Sequence, residues 1–151
     1  MYRPCLLLLA TALVIPSGPA TQPVSSKQIM ATSTTWNGAP IRYSSSTHPE
    51  VQAVVVEIAP GAATAWHKHP ANNFAYVLDG KVRLELEDRT THEFKAGEAF
   101  AEVVDTWHRG VNVGPGTLKI LVFYASAAGA PISIPRPAPD GSSQASQNHG
   151  R

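Results

Sequence analysis

The segment from Gly61 to Gly80 constrains the fold of this 151-residue chain more than any other. It contains His67 and His69, two residues apart in a strand-like stretch. Successive side chains of a β-strand point to opposite faces, so both imidazoles of this pair point to the same face. Two neutral imidazoles on one face can share a divalent transition metal ion, which a lone histidine cannot hold. The segment therefore predicts part of a metal site built on a strand.

A second segment, from Gly97 to Asn112, contains the third histidine of the predicted site, His108. It is apolar and bounded by turn residues, as expected of a strand. The chain has only six histidines in all. Because His67, His69 and His108 lie in strand-like, apolar segments within about forty residues of one another, we expect one metal site inside a β-barrel.

The first segment resembles the first motif of the cupin family, G-x5-H-x-H-x3/4-E-x6-G. Gly61, His67, His69 and Gly80 match this motif in register, whereas Asn73 stands at the position of the glutamate. The second segment resembles the second cupin motif, G-x5-P-x-G-x2-H-x3-N. It matches at three positions and differs at the proline and glycine positions, which here are Val103 and Asp105.

The resemblance implies an all-β fold, a single jelly-roll β-barrel over residues 51–125. It also implies that His67, His69 and His108 ligate a metal ion with Asn73 at the fourth position. Fe(II) is the first choice, and Ni, Cu, Zn or Mn also suit nitrogen ligands. The amide oxygen of Asn73 is neutral, so the site would keep positive charge and open positions for an anionic or chelating substrate. A site that has decayed is the alternative, and Asn72 could instead supply the amide.

Glu102 is the predicted catalytic acid or base. It lies on the strand that leads to His108, where small cupins often carry an acidic residue. A carboxyl group inside an apolar barrel has a raised pKa, which suits proton transfer near neutral pH. The alternative is an exposed glutamate at the barrel rim. Five aromatic residues interleave with these positions and should pack in the barrel wall or line its mouth: Trp66, Phe74, Tyr76, Phe100 and Trp107.

Short strands separated by turns are predicted along the whole barrel. Residues 82–87 alternate strictly between apolar and polar, which buries one face of a strand. The Asp79-Gly80 dipeptide between apolar runs predicts a hairpin. No stretch has the 3.6-residue apolar period of a helix. The predicted strands are Gln52–Ile58, Thr64–His67, Phe74–Leu78, Lys81–Glu87, Thr91–Phe94, Ala99–Val104, Trp107–Val111 and Leu118–Tyr124, with a further edge strand near Ile29.

The two ends of the chain differ from the barrel in composition. Residues 1–20 have a basic residue, an apolar run of about ten residues and a small-residue stretch, the pattern of a signal peptide. A buried strand or a short membrane anchor is the alternative. Residues 21–50 should form an extended N-terminal segment. Residues 126–151 form a C-terminal segment rich in Ala, Gly, Pro and Ser, which we expect to be disordered from about residue 135.

Cleavage after Ala20 would remove Cys5, the chain's one cysteine, so neither disulfides nor thiolate ligands are expected. It would also remove Arg3 and leave equal numbers of basic and acidic residues. No basic stripe is present, which argues against nucleic-acid binding. We therefore expect a periplasmic or secreted protein, off the membrane after cleavage, that binds a small molecule and could form a homodimer.

Three functions fit these observations. The first is a metal-dependent oxidoreductase of the dioxygenase type, in which dioxygen and substrate meet at the three-histidine site. The second is a non-redox isomerase or lyase that uses the metal as a Lewis acid beside Glu102. The third is a barrel that binds a small molecule without turnover. The fold alone does not separate them, because function depends on the site.

Overall fold

The computed structural model describes residues 24–43 and 45–137, and this part of the chain contains nine β-strands and no helix. It therefore has no helix that could span a membrane. The predicted signal peptide, residues 1–20, and the chain from residue 138 lie outside the described residues. The strands are β1 (Pro49–Ile58), β2 (His67–Lys68), β3 (Asn72–Asp79), β4 (Lys81–Leu86), β5 (Thr91–Lys95), β6 (Ala99–Ala101), β7 (His108–Asn112), β8 (Leu118–Ala127) and β9 (Ile134–Pro135).

The strands form two antiparallel sheets that share one core. One sheet has the strand order β1-β8-β3-β6 and the other β5-β4-β7-β2-β9. Both sheets contribute buried apolar side chains to the core, for example Val77 and Ile120 from the first and Val82 and Leu84 from the second. The prediction of an all-β fold is thus confirmed, and the sheets enclose the space in which the histidines meet.

The alternation of the sequence explains which side chains enter the core. In β4, Val82, Leu84 and Leu86 are buried, whereas Arg83 and Glu85 between them are half-buried on the other face. Burying an aliphatic side chain of this size stabilises the fold by about 1.5–3 kcal/mol. A register shift of one residue would exchange the two faces, so this pattern fixes the register of the strand.

Gly80 makes the predicted hairpin between β3 and β4 possible. Its φ angle is 84°, in the left-handed region that a residue with a Cβ atom rarely adopts. A Cβ atom at this position would also lie 3.0 Å from Cα of Leu118. Glycine is therefore required both by the turn and by the close approach of the neighbouring strand.

The segments outside the barrel strands pack against it at two places. No strand forms near Ile29. Instead, Thr34 and Pro40 form an isolated bridge, and the backbone N–H of Trp36 donates a 2.9 Å hydrogen bond to the carbonyl of Ala101. After β8 the chain passes to the edge of the second sheet, where β9 pairs with β2 and Pro135 lies opposite His67. Both contacts lie beside the cavity that holds the histidines.

Candidate metal centre

The three histidines predicted from the motifs converge in the structure. His67 on β2 and His108 on β7 are direct partners across the strand pair, and His69 follows just after β2. The ring centroids are 4.4–4.9 Å apart. One nitrogen from each ring lies within 4.8 Å of the others, close enough to contact one ion after small adjustments. Cross-strand pairing joins the two motifs, which are distant in sequence.

Backbone carbonyls fix the orientation of each imidazole. Every Nδ1 atom lies at hydrogen-bond distance from a carbonyl oxygen: His67 to Ala65 at 2.8 Å, His69 to Ile132 at 2.7 Å and His108 to Thr106 at 2.8 Å. A carbonyl oxygen can only accept, so each Nδ1 carries the hydrogen and each Nε2 keeps its lone pair. Such carbonyl partners are typical of metal-ligating histidines.

The donor set fits a divalent transition metal ion. Nε2 of His108 is buried and has no hydrogen-bond partner among the described residues, as a nitrogen reserved for an ion would be. Burial lowers the pKa of all three imidazoles, because removal from water disfavours the charged form. The pKa of His69 falls to about 4. The imidazoles are therefore neutral at pH 7, the form that binds a metal.

Glu102 follows β6 and is buried, with 8% of its surface exposed, so it is not at the exposed rim. Its Oε2 atom accepts hydrogen bonds from Nε1 of Trp36 at 3.0 Å and from the backbone N–H of Val103 at 3.3 Å. The other oxygen, Oε1, lies 3.9 Å from Nε2 of His108. Burial raises the pKa of Glu102 to about 7 and lowers that of His108, so the two groups are not an ion pair at neutral pH.

Asn73 and Asn112 are both 1% exposed, yet their amides have opposite surroundings. The Nδ2 atom of Asn112 donates to the carbonyls of Ile58 and Gly116, and its Oδ1 atom accepts from the N–H of Gly114. Neither amide atom of Asn73 has a partner among the described residues. Each unpartnered buried group costs about 1–3 kcal/mol of stability. Asn112 is therefore a structural residue, whereas the amide of Asn73 is free to meet a ligand.

A small cavity of about 60 Å³ joins these groups. The three histidines, Asn73 and Glu102 supply polar groups to its wall, and Tyr124 contributes its ring, 5.3 Å from that of His69. The rest of the wall is mostly apolar: Val56, Ile58, Ala75, Val82, Leu84, Phe100, Ile120 and Val122. A few polar groups converging in an apolar cavity is the usual form of a small-molecule site.

Most of the aromatic residues considered in the sequence lie away from this cavity. Phe100 lines it and stacks on Phe94, with ring centroids 4.1 Å apart. The rings of Trp66 and Trp107 instead contact cations, Arg109 at 5.1 Å and Lys68 at 5.5 Å. Asn72 also lies outside the cavity lining, and its amide donates to the carbonyl of Arg42 at 2.9 Å.

Three contributors to the site were missed by the sequence reasoning. Trp36 comes from the N-terminal segment and Ile132 from the C-terminal segment, and each contacts a site residue more than sixty positions away. Tyr124 looks like any aromatic residue at the end of a buried strand. The even spacing of inward positions along β8 could have placed Tyr124 on the cavity face, but no motif signals the other two.

The fold matches known structures at low sequence identity. A mutant of Bacillus subtilis oxalate decarboxylase matches with 23% identity and a TM-score of 0.50, over 56% of this chain and 23% of that one. A DMSP lyase structure matches with 16% identity and a TM-score of 0.50, over 58% and 44% of the chains. The polyketide cyclase RemF from Streptomyces resistomycificus matches with 24% identity and a TM-score of 0.49, over 60% of this chain and 63% of that one.

This chain thus spans less than two thirds of the length of each of these proteins, and the likeness concerns the fold alone. No curated protein matches the sequence. A family model described as the cupin domain matches residues 54–124. The match begins within β1, ends within β8 and includes both histidine segments. The match therefore covers the strands that carry all three histidines, Asn73 and Glu102. Residues 54–124 of this chain are a cupin domain.

Proposed function

We propose that this protein is a metal-dependent enzyme, an oxidoreductase of the dioxygenase type that acts on a small molecule. One observation carries the proposal: three neutral imidazoles present Nε2 lone pairs to one point in a mostly apolar cavity, beside the carboxyl group of Glu102. We further propose Fe(II) as the metal, which when bound would bind and activate dioxygen and substrate together.

The chain's own residues would divide the remaining work. His67, His69 and His108 would hold the ion, and the backbone carbonyls behind them would keep the rings in place. Asn73 would contribute its Oδ1 atom as a neutral fourth ligand. Since this set of donors adds no negative charge, it favours an anionic substrate. Glu102 would accept a proton from the substrate at Oε1, while Trp36 holds Oε2.

A second candidate is a non-redox isomerase or lyase. The position of Glu102 favours it, because burial brings its pKa to about 7, where a carboxyl group both gives and takes a proton readily at neutral pH. This function needs the same ligands and the same proton path, but it consumes no dioxygen.

Elemental analysis and oxygen uptake test the proposal. The purified protein should contain about one equivalent of a divalent transition metal, as measured by mass spectrometry. The Fe(II)-loaded protein should consume dioxygen in the presence of small anionic substrates, and a Glu102→Gln variant should lose this uptake while it keeps the metal. Turnover in the absence of dioxygen would favour the isomerase or lyase instead. Protein without metal affinity would contradict both.

We also propose that the protein is exported to the periplasm or secreted. The support is the signal-like pattern of residues 1–20. Protein recovered from the native host outside the cytoplasm should begin near residue 21, whereas an intact Met1 would contradict export with cleavage. Fractionation of the cells tests the location separately.

We propose a homodimer as the assembly of the mature protein. The outer face of the first sheet supports it, because Val51, Val55 and Phe123 are exposed there on the neighbouring strands β1 and β8. Light scattering should give the mass of a dimer, and a Phe123→Lys variant should shift it to a monomer. A monomer mass for the wild type across a concentration series would reject this assembly.

A further inference from the structure

Neither amide atom of Asn73 has a partner among the described residues, and a metal ion alone does not explain this. An ion can accept the lone pair of Oδ1, but it repels the two hydrogens on Nδ2. The Nδ2 atom is buried, since the residue is 1% exposed and this atom is among those shielded from solvent. It therefore needs a hydrogen-bond acceptor inside the cavity even when the ion is present.

The protein offers that donor no acceptor within hydrogen-bond distance in the described structure. Glu102 is a neighbour of Asn73 through the backbone, because its N–H group donates a 3.0 Å hydrogen bond to the carbonyl of Asn73. The side chains nevertheless form no hydrogen bond with each other. Oε2 of Glu102 is already engaged by Trp36, and Oε1 faces Nε2 of His108.

The cavity wall thus presents two complementary groups beside the metal position. Asn73 offers a donor at Nδ2, and the carboxyl group of Glu102 offers an acceptor at Oε1. A substrate that satisfies both must carry a hydrogen-bond acceptor and a hydrogen-bond donor, and a carbonyl or carboxylate oxygen next to a hydroxyl group supplies the two. The cavity volume of about 60 Å³ favours a substrate in which these two groups are close together.

We propose that the site recognises small molecules with a hydroxyl group and a carbonyl or carboxylate group on adjacent carbons. The carbonyl or carboxylate oxygen accepts a hydrogen bond from Nδ2 of Asn73, and the hydroxyl group donates to Glu102. This assignment rests on the proposed metal-dependent function and names the substrate class for it. Asn73 then acts as a specificity residue at the same time as it offers Oδ1 to the ion.

The chain offers matched variants for a test. Asn73→Leu removes both amide atoms with little change in volume, and Asn73→Asp keeps the shape but replaces the donor with a charged oxygen. Asn72→Asp makes the same charge change one residue earlier, where the side chain is not part of the cavity lining. Circular dichroism and thermal unfolding show whether each variant is folded. If Asn73→Leu is not folded, the test uses Asn73→Asp alone.

The experiment is isothermal titration calorimetry in two stages. Mn(II) is first titrated into the metal-free proteins, and glycolate or acetate is then titrated into the proteins saturated with Mn(II). We expect wild type and Asn72→Asp to bind glycolate at least about tenfold more tightly than acetate, which lacks the hydroxyl group. Both Asn73 variants should bind glycolate at least about tenfold more weakly than wild type. Asn73→Asp should bind Mn(II) more tightly, since it adds an anionic ligand.

The two stages separate the two ways to be wrong. Wild-type protein that binds no Mn(II) would overturn the proposed function and this inference with it. Wild-type protein that binds Mn(II) would overturn the inference alone if it bound no glycolate, did not distinguish glycolate from acetate, or bound glycolate as tightly as both Asn73 variants. Weaker glycolate binding confined to the Asn73 variants would establish the amide as the recognition group.

Discussion

The indole Nε1 atom of Trp36 donates a 3.0 Å hydrogen bond to Oε2 of Glu102, although the two residues are 66 positions apart. Trp36 lies outside residues 54–124, so the cupin domain as matched does not include the group that holds its buried carboxyl. The backbone of Trp36 is tied to Ala101, the residue before Glu102. The N-terminal segment is thus an integral part of the site.

Replacement of Trp36 by phenylalanine should cost more stability at alkaline than at acid pH. Phe keeps an aromatic ring but removes the donor, and a hydrogen bond to a charged group contributes about 1.5–3 kcal/mol. Glu102 has a pKa of about 7, so it is ionised at pH 8 and protonated at pH 5. Urea denaturation at both pH values should show this difference. Trp107→Phe, a control on a ring that contacts Lys68, should not. An equal loss at both pH values would mean that only the packing of the indole matters.

The metal-free protein should lose stability as the pH falls from about 6.5 to about 4. Burial lowers the pKa values of His67, His69 and His108, so the unfolded chain binds protons on these residues before the folded chain does. The fall of the His69 pKa from 6.5 to about 4 corresponds to about 3 kcal/mol.

Glu102 opposes this trend. Its pKa is raised in the folded state, so its contribution to the free energy of unfolding is present at low pH and is lost as the pH rises through about 7. Because three histidines oppose one glutamate, we expect the histidines to set the sign of the change in stability below pH 6.5. Denaturation curves over this range should show the fall in stability, and His69→Gln should flatten it. A stability that rises on acidification would contradict the buried neutral histidines.

Asn73→Leu should leave the metal-free protein as stable as wild type or make it more stable. The substitution removes two buried polar atoms that have no partner among the described residues. Asn112→Leu should instead destabilise the protein by about 3 kcal/mol, because three hydrogen bonds of a buried side chain are lost, one of them to the carbonyl of the buried Ile58. Urea denaturation of the two variants makes the comparison. Similar losses for both would show that Asn73 has a structural partner after all.

Asn73→Glu should raise metal affinity and lower activity. The new carboxylate neutralises part of the ion's charge, and we expect a gain of about tenfold, which equals about 1.4 kcal/mol. It also occupies a position that substrate or dioxygen would use, so oxygen uptake should fall. Competition with a fluorescent chelator measures the affinity. Unchanged metal affinity and activity would mean that position 73 does not face the ion.

His108→Ala should abolish tight metal binding. His67 and His69 alone leave the ion with too few protein ligands. The loss of metal affinity should therefore exceed the about 10–100-fold that is typical when a residue hydrogen-bonded to a metal ligand is removed. His48→Ala is the control, because His48 is exposed and its imidazole bonds only the hydroxyl of Thr47 among the described residues. Metal content by mass spectrometry should fall only in the first variant. Retained metal in His108→Ala would contradict the site.

The sequence alone predicted the part of the site that local patterns encode. Alternation in β4 and the two-residue spacing of His67 and His69 match the period of a strand, and the resemblance to the second motif added His108. The all-β fold and the meeting of the three rings could therefore be inferred. Trp36 could not, because its contact with Glu102 depends on how a segment without periodicity folds back over the barrel.

The end of the barrel shows the same limit. The composition after residue 125 gave no indication of a contact with the site, and disorder was predicted only from about residue 135. In the structure, Ile132 and Pro135 contact His69 and His67. These contacts use backbone groups, which every residue type has, so composition does not reveal them. Backbone contacts made by irregular segments are therefore the part of this site that only the structure shows.

The carbonyl of Ile132 lies 63 residues beyond the imidazole it orients, that of His69. A ribosome releases the chain from its N-terminus, so both histidines of the first segment emerge well before the residue that aligns one of them. The third imidazole, His108, also emerges before Ile132. A nascent chain can therefore present all three rings while His69 is still unaligned, and the site becomes complete only when Ile132 has reached its place beside His69.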